Sequence, residues 1–212
     1  KMREVPADGI VVVPPLLRKE VLEMTPTKGD YLHGYLLNSG FGEEICSWHK
    51  VHPSVELHIF WDKKEVLPEV KVDSRLSFHQ LNDTLFVRYM AGARAYATTA
   101  GFESVCVAMY LGKPVLMVPT HIEQACNAFD AVHAGAGVIG AGTVAERFDL
   151  DALLHLSETH QPNPVFRHWV QQADWLILRE FRPDLLMEET PASLWHRLST
   201  RWIYRFGKSL SI

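Results

Sequence analysis

Residues 94–138 hold two strand-then-helix units in direct succession, and few architectures accommodate that order. Ala95, Tyr96, Ala97 and Thr98 form a short, half-apolar run that reads as a buried strand. Gly101 breaks it, and residues 102–111 have helical spacing. Gly112 stands where a helix end favours a left-handed residue, and Pro114 stops the helix from resuming. Val115, Leu116, Met117 and Val118 are uninterruptedly apolar, as in a strand covered on both faces. Thr120-His121-Ile122-Glu123 reads as a capping box that opens a second helix, ending at Gly135.

Both helices therefore start at the carboxyl ends of parallel strands, on one edge of the sheet. The first N–H groups of a helix lack partners within it, and the macrodipole adds partial positive charge there. Phe102, Glu103 and Ser104 are expected to present such N–H groups just past Gly101, whose bare backbone admits close approach. A phosphate or diphosphate suits that position, with Thr99 in the same turn. The plainer alternatives are a tight turn at Gly101 and helix capping by Glu103 and Ser104. Glu123 and Gln124 fall in the first turn of the next helix, where a carboxylate beside an amide can grip paired hydroxyls, as on a sugar. Asn127, one turn later, favours that reading of Glu123 over capping alone.

The same alternation extends outward, with strands near residues 31, 55, 75, 95, 115 and 137. The expected fold is α/β: a Rossmann-like, three-layer domain of about six parallel strands with helices on both faces, followed by C-terminal helices. Right-handed crossovers and a reversal of strand order place a crevice between the first and fourth strands. Ser39-Gly40-Phe41-Gly42 turns into a helix from Glu43, and Ser39 and Gly40 are candidates for ligand contact at that crevice. Residues 75–78 lead into His79-Gln80-Leu81-Asn82, after which Asp83 is expected to cap a helix reaching Gly92. Residues 135–140 match the dinucleotide fingerprint GxGxxG, but a helix precedes and a strand follows, the reverse of what the fingerprint requires. Helices are expected at 151–157, 164–181 and 191–206. Arg197, Arg201, Arg205 and Lys208 make residues 191–208 basic, which suits packing of the apolar stripe or contact with an anionic membrane surface.

The central residues resemble the C-terminal, donor-binding half of two-domain, GT-B type nucleotide-sugar glycosyltransferases. The resemblance rests on Gly101, Ala108, Gly112-Lys113-Pro114, Pro119, Glu123-Gln124-Ala125-Cys126-Asn127-Ala128 and Gly135-Ala136-Gly137, in that order. It implies a nucleoside diphosphate sugar as donor, such as a uridine diphosphate sugar, with no cofactor and no metal. It implies diphosphate binding by Thr99, Gly101, Phe102, Glu103, Ser104, Ser39 and Gly40. Sugar contact falls to Glu123 and Gln124, and base contact to the backbone at Gln80 and Leu81. Val107 stands where the family places a ribose-binding Glu, and Thr99 where many relatives carry His. Residues 1–28 would be the join from an N-terminal acceptor domain, 29–152 the donor domain, and 153–212 helices packing back on it or on the other half. The general base would sit on that other half, leaving the catalytic residues unassigned here. A sugar-nucleotide 2-epimerase and a non-catalytic nucleotide-sugar binding domain are the alternatives of the same architecture.

Composition fits this reading. The chain of 212 residues is 47% hydrophobic and 22% charged, with a net charge of −4, so no nucleic-acid partner is expected. Cys46, Cys106 and Cys126 lack metal-ligand spacing and suit a reduced, cytoplasmic setting, peripheral at the inner membrane face if residues 191–208 touch lipid. His49, His52 and His58 are the tightest histidine cluster, with no acidic or cysteine partner at ligand spacing. The first residue is Lys, and a longer parent chain is expected.

Overall fold

A computed structural model describes residues 11–37, 40–63, 67–133, 137–139 and 147–186. They divide into two compact units, one of residues 15–171 and one containing 11–14 and 172–186.

The first unit is built on a seven-stranded sheet. Its strands are β1 (Tyr31–Leu36), β2 (Glu56–Trp61), β3 (Glu69–Lys71), β4 (Leu76–Gln80), β5 (Ala95–Thr98), β6 (Val115–Met117) and β7 (Gly137–Ile139). Their order is β3-β4-β2-β1-β5-β6-β7. Every neighbouring pair is parallel except β3 with β4. The six parallel strands thus match expectation, and β3 is an addition. It carries one half-buried Val70 between exposed Glu69 and Lys71, too short a pattern to stand out in the sequence. The chain fills the sheet from β1 outward to β4, then returns to the other side of β1 to lay down β5, β6 and β7. The order therefore reverses between β1 and β5, the strands expected to flank the crevice.

Helices cover both faces, because the strands carry apolar side chains on each of them. On one face Phe60, Tyr96, Val115 and Met117 pack with Phe86, Val87 and Met90 of α3 (Asp83–Gly92), with residues 105–111 in and after α4 (Phe102–Tyr110), and with Ala128 and Ala131 of α5 (Ile122–His133). A short α1 (Lys19–Leu22) sends Val21 into the same core. On the other face Leu32, Leu57, Ile59, Leu116 and Val118 meet Ile45 of α2 (Phe41–Val51) and Leu150 and Leu153 of α6 (Leu150–Thr159). Each fully buried Leu or Phe contributes roughly 1.5–3 kcal/mol.

The helix ends carry local logic. Gly112 has φ +69, and the N–H groups of Gly112 and Lys113 bond the carbonyls of Met109 (3.0 Å) and Ala108 (2.8 Å), which closes α4 with a Schellman motif. α2 begins at Phe41, two residues before the expected Glu43. The cap of α3 is Asn82 rather than Asp83: its Oδ1 accepts from the Leu85 N–H at 2.9 Å, and Asp83 occupies the first helical position. The helix expected over 164–181 is interrupted at Gln172, giving α7 (Pro164–Gln171) and α8 (Ala173–Phe181). The basic segment 191–208 lies outside the described residues. Among those described, no helix is long and apolar enough to cross a membrane.

One core residue is out of place chemically. His33, in the middle of β1, is 1% exposed, with its ring stacked on Tyr96 at 5.2 Å and wedged against Phe60 and Phe86. Neither ring nitrogen has a hydrogen-bond partner among the described residues. Burial pushes its pKa down to about 3, against 6.5 in the unfolded chain. A base whose folded pKa is depressed binds fewer protons folded than unfolded between those two values. Stability is therefore lost as pH falls from about 6.5 towards 3, by at most about 1.4 kcal/mol per pH unit for one group. His79, also lowered by burial and by its neighbour His58, adds to that acid limb. Urea titrations between pH 7 and pH 4 should show a shallower loss for His33→Phe than for the parent chain.

Candidate functional site

The carboxyl ends of β1, β5 and β6 open on one edge of the sheet, and the turn after β5 occupies its centre. That turn reverses the chain from strand to helix through Thr99, Ala100 and Gly101. Thr99 and Ala100 are buried. The left-handed residue is Ala100, at φ 65, and not Gly101. Gly101 caps α4 in extended conformation, φ −62 and ψ 135, which any residue adopts. A Cβ built on Gly101 would meet only Ser104 Oγ, at 3.7 Å, an ordinary contact. Its bareness is thus required neither by backbone angle nor by protein packing, and it keeps the space above the turn open.

The helix beyond that turn lacks a side-chain cap. The first N–H that finds a carbonyl is that of Val105, bonded to Gly101 O at 3.2 Å. The N–H groups of Phe102, Glu103 and Ser104 find no acceptor among the described residues. These three donors converge with the positive end of the helix dipole. Phe102 itself is 57% exposed beside them. Ser104 Oγ donates to Gly101 O at 3.1 Å and so braces the turn. Asn127 of α5 braces it from the other side, its Nδ2 donating to Ala100 O at 3.2 Å.

The start of α5 departs from a capping box. The N–H and Oγ1 of Thr120 both donate to Oε1 of Gln124, each at 2.8 Å. Gln124, 5% exposed, therefore takes the role expected of Glu123 and is committed through its oxygen. The extra residue between Thr120 and Gln124 is tolerated because the helix begins only at Ile122. Glu123 is left exposed, with no ion pair among the described residues.

The remaining candidates are spread along the same edge. Gly40 is exposed at the start of α2, and Ser39 lies outside the described residues. Glu44 is turned to structure: its Oε1 accepts from the Phe148 N–H at 2.8 Å, and burial raises its pKa. Gln80 ends β4, with its N–H bonded to Pro68 O at 2.9 Å, and Leu81 follows, half exposed. Together with Asn82, Leu85 and Arg88 they line a recess of about 430 Å³. β4 stands three places from β5 in the sheet, roughly 14 Å at the usual strand spacing. Val107, by contrast, is 2% exposed and belongs to the core.

Sequence reasoning missed Arg18. Its guanidinium lies 3.4 Å from Asp83 Oδ2 and 3.5 Å from Glu103 Oε1, joining the first turns of α3 and α4. The three clustered histidines each have protein partners: His49 Nε2 with Asp73 at 2.9 Å, His52 Nε2 with Asp151 at 3.1 Å, and His58 with both Glu56 and His79.

The fold has counterparts among solved structures. The chain is similar to the glycotransferase of kitacinnamycin, with a TM-score of 0.58 and 16% identity over 78% of this chain and 48% of that one. It is also similar to the spinosyn rhamnosyltransferase SpnG complexed with thymidine diphosphate, with a TM-score of 0.52 and 14% identity over 79% of this chain and 46% of that one. At such identities the likeness is one of fold, and the chain spans about half the length of these structures. A comparison with curated protein sequences found no match. A family model described as Glycosyl transferase family 1 matches residues 5–156, well over half of the chain. With that match added to a Rossmann-like sheet and an uncapped helix at its switch point, the chain belongs to glycosyl transferase family 1.

Proposed function

We propose that this chain carries the donor site of a glycosyltransferase, binding a nucleoside diphosphate sugar at the turn between β5 and α4. The observation that carries the reading is the set of three N–H groups, on Phe102, Glu103 and Ser104, that have no acceptor among the described residues, beside a Gly101 whose Cβ position is uncrowded. A diphosphate seated there meets fixed donors and a helix dipole, with the Thr99 turn behind it. The recess at Gln80 and Leu81, three strand places along the same edge, would take the nucleoside in this reading. The spinosyn rhamnosyltransferase of similar fold was solved with thymidine diphosphate. Residues 29–152 would hold this site, with residues 1–28 joining it to an acceptor-binding half.

The reaction is displacement at the anomeric carbon. An acceptor oxygen forms a bond to that carbon as the bond to the diphosphate oxygen breaks. Negative charge grows on the departing diphosphate, and donors that are already in place stabilise it without reorganising. The helix terminus supplies the positive field, so the reading needs no metal. Glu123, without an ion pair among the described residues, offers a carboxylate to sugar hydroxyls, and Gln124 its amide N–H groups. The acceptor and the base that deprotonates it belong to another part of the protein. Buried Val107 offers the ribose no carboxylate at that position of α4, which favours one alternative, a domain that binds donor without transferring.

Calorimetric titration of the chain with uridine, guanosine and deoxythymidine diphosphates tests the reading. One of the three should bind in the micromolar to millimolar range. Glu123→Gln should weaken the corresponding diphosphate sugar severalfold while leaving the bare diphosphate unchanged. Absence of binding by all three would contradict a donor site here.

A further inference from the structure

Arg18 occupies an electrostatically odd position. Its guanidinium stands at the amino ends of α3 and α4, where both helix dipoles oppose a cation. Asp83 and Glu103 hold it there, at 3.4 and 3.5 Å. The arrangement is anchored from below. Arg18 caps α1, its carbonyl accepting from the N–H groups of Val21 (3.0 Å) and Leu22 (3.1 Å). Val21 is wholly buried, and Leu22 O accepts from Tyr110 Oη at 3.0 Å. The backbone at Arg18 is thus tied to the core although its guanidinium is partly exposed.

Glu103 explains why a fixed cation is useful there. Its backbone N–H is one of the three unpaired donors, and its side chain adds a negative charge within the same helical turn. In the empty protein that carboxylate complements the dipole. Towards an arriving diphosphate it is a repulsive neighbour. Resting on the donor-site reading above, we propose that Arg18 is a charge-compensating positioning residue: it cancels and holds aside the Glu103 carboxylate, so that the amino end of α4 accepts a nucleoside diphosphate. Asp83 keeps the guanidinium from swinging away, which couples the segment entering the domain to the anion site.

The test is a charge-rescue cycle on the full chain, read by calorimetry with uridine, guanosine and deoxythymidine diphosphates at low and high salt. One unpaired carboxylate about 8 Å from a diphosphate, at an effective dielectric between protein and water, should weaken binding about five- to tenfold. Arg18→Gln should show that loss at low ionic strength and less of it at high salt. Arg18→Lys should retain most of the affinity. Adding Glu103→Gln to Arg18→Gln should restore binding to the parent level. A merely structural brace would instead change the melting temperature in Arg18→Gln and leave affinity alone, and that result overturns the proposal. So does a double variant as weak as the single one. If the parent chain binds none of the three diphosphates, the donor-site reading falls and this proposal with it. Failure of the proposal alone appears as intact parent binding with no effect of Arg18→Gln.

Discussion

Ala100→Val should destabilise the protein by about 3 kcal/mol and abolish diphosphate binding in whatever fraction still folds. Ala100 sits at φ 65, in the left-handed region, and is fully buried. Alanine already bears a cost of about 1–2 kcal/mol there. A β-branched side chain is far worse in this region, because its second γ-substituent meets the backbone. Valine also adds two methyl groups to a packed core, for roughly another 1–3 kcal/mol. The strained turn would relax by moving, and Asn127 would lose its acceptor on Ala100. The first residues of α4 would then no longer be held at the crevice. Ala100→Gly is the matched control. It removes the strain while gaining unfolded-state entropy, and these offset to within about 1 kcal/mol. Denaturant unfolding and calorimetry should find Ala100→Gly near the parent on both counts.

Gly101→Leu should do the opposite: leave stability within about 0.5 kcal/mol and cost binding at least about tenfold. The backbone at Gly101, φ −62 and ψ 135, accepts leucine without strain. The first atom of the new side chain touches only Ser104 Oγ, at an ordinary 3.7 Å. No other described atom lies within 4 Å of that position, and the isobutyl group is expected to extend over the N–H groups of Phe102, Glu103 and Ser104. Separating stability from binding matters here. A glycine required by the fold would fail in both measurements, and a glycine required by nothing would fail in neither.

Much of the fold could be read from apolar runs. Val115 to Val118 and the strand around Leu57 announce buried parallel strands, and Gly112 with Pro114 announces a helix end that the Schellman bonds confirm. The strand-order reversal followed from the repeated strand-helix rhythm. What escaped were features that depend on distant partners or on a single residue's angles. β3 has only Val70 to mark it. The interruption at Gln172 has no glycine or proline to signal it. The capping role fell to Gln124 because Thr120 stands one residue further from the helix than its spacing suggested. The left-handed position fell on Ala100, a residue type that does not advertise such angles, so the neighbouring glycine drew attention instead. Arg18 was out of reach because Asp83 and Glu103, 65 and 85 residues further along the chain, meet it only in the folded structure.

The most direct measurement is a pair of calorimetric titrations with the nucleoside diphosphate that binds best, on the parent chain and on Gly101→Leu, with melting curves of both. The account predicts saturable binding by the parent, loss of at least about tenfold in the variant, and superimposable melting. Equal affinity in the two proteins would contradict it, because it would place the diphosphate somewhere other than the amino end of α4.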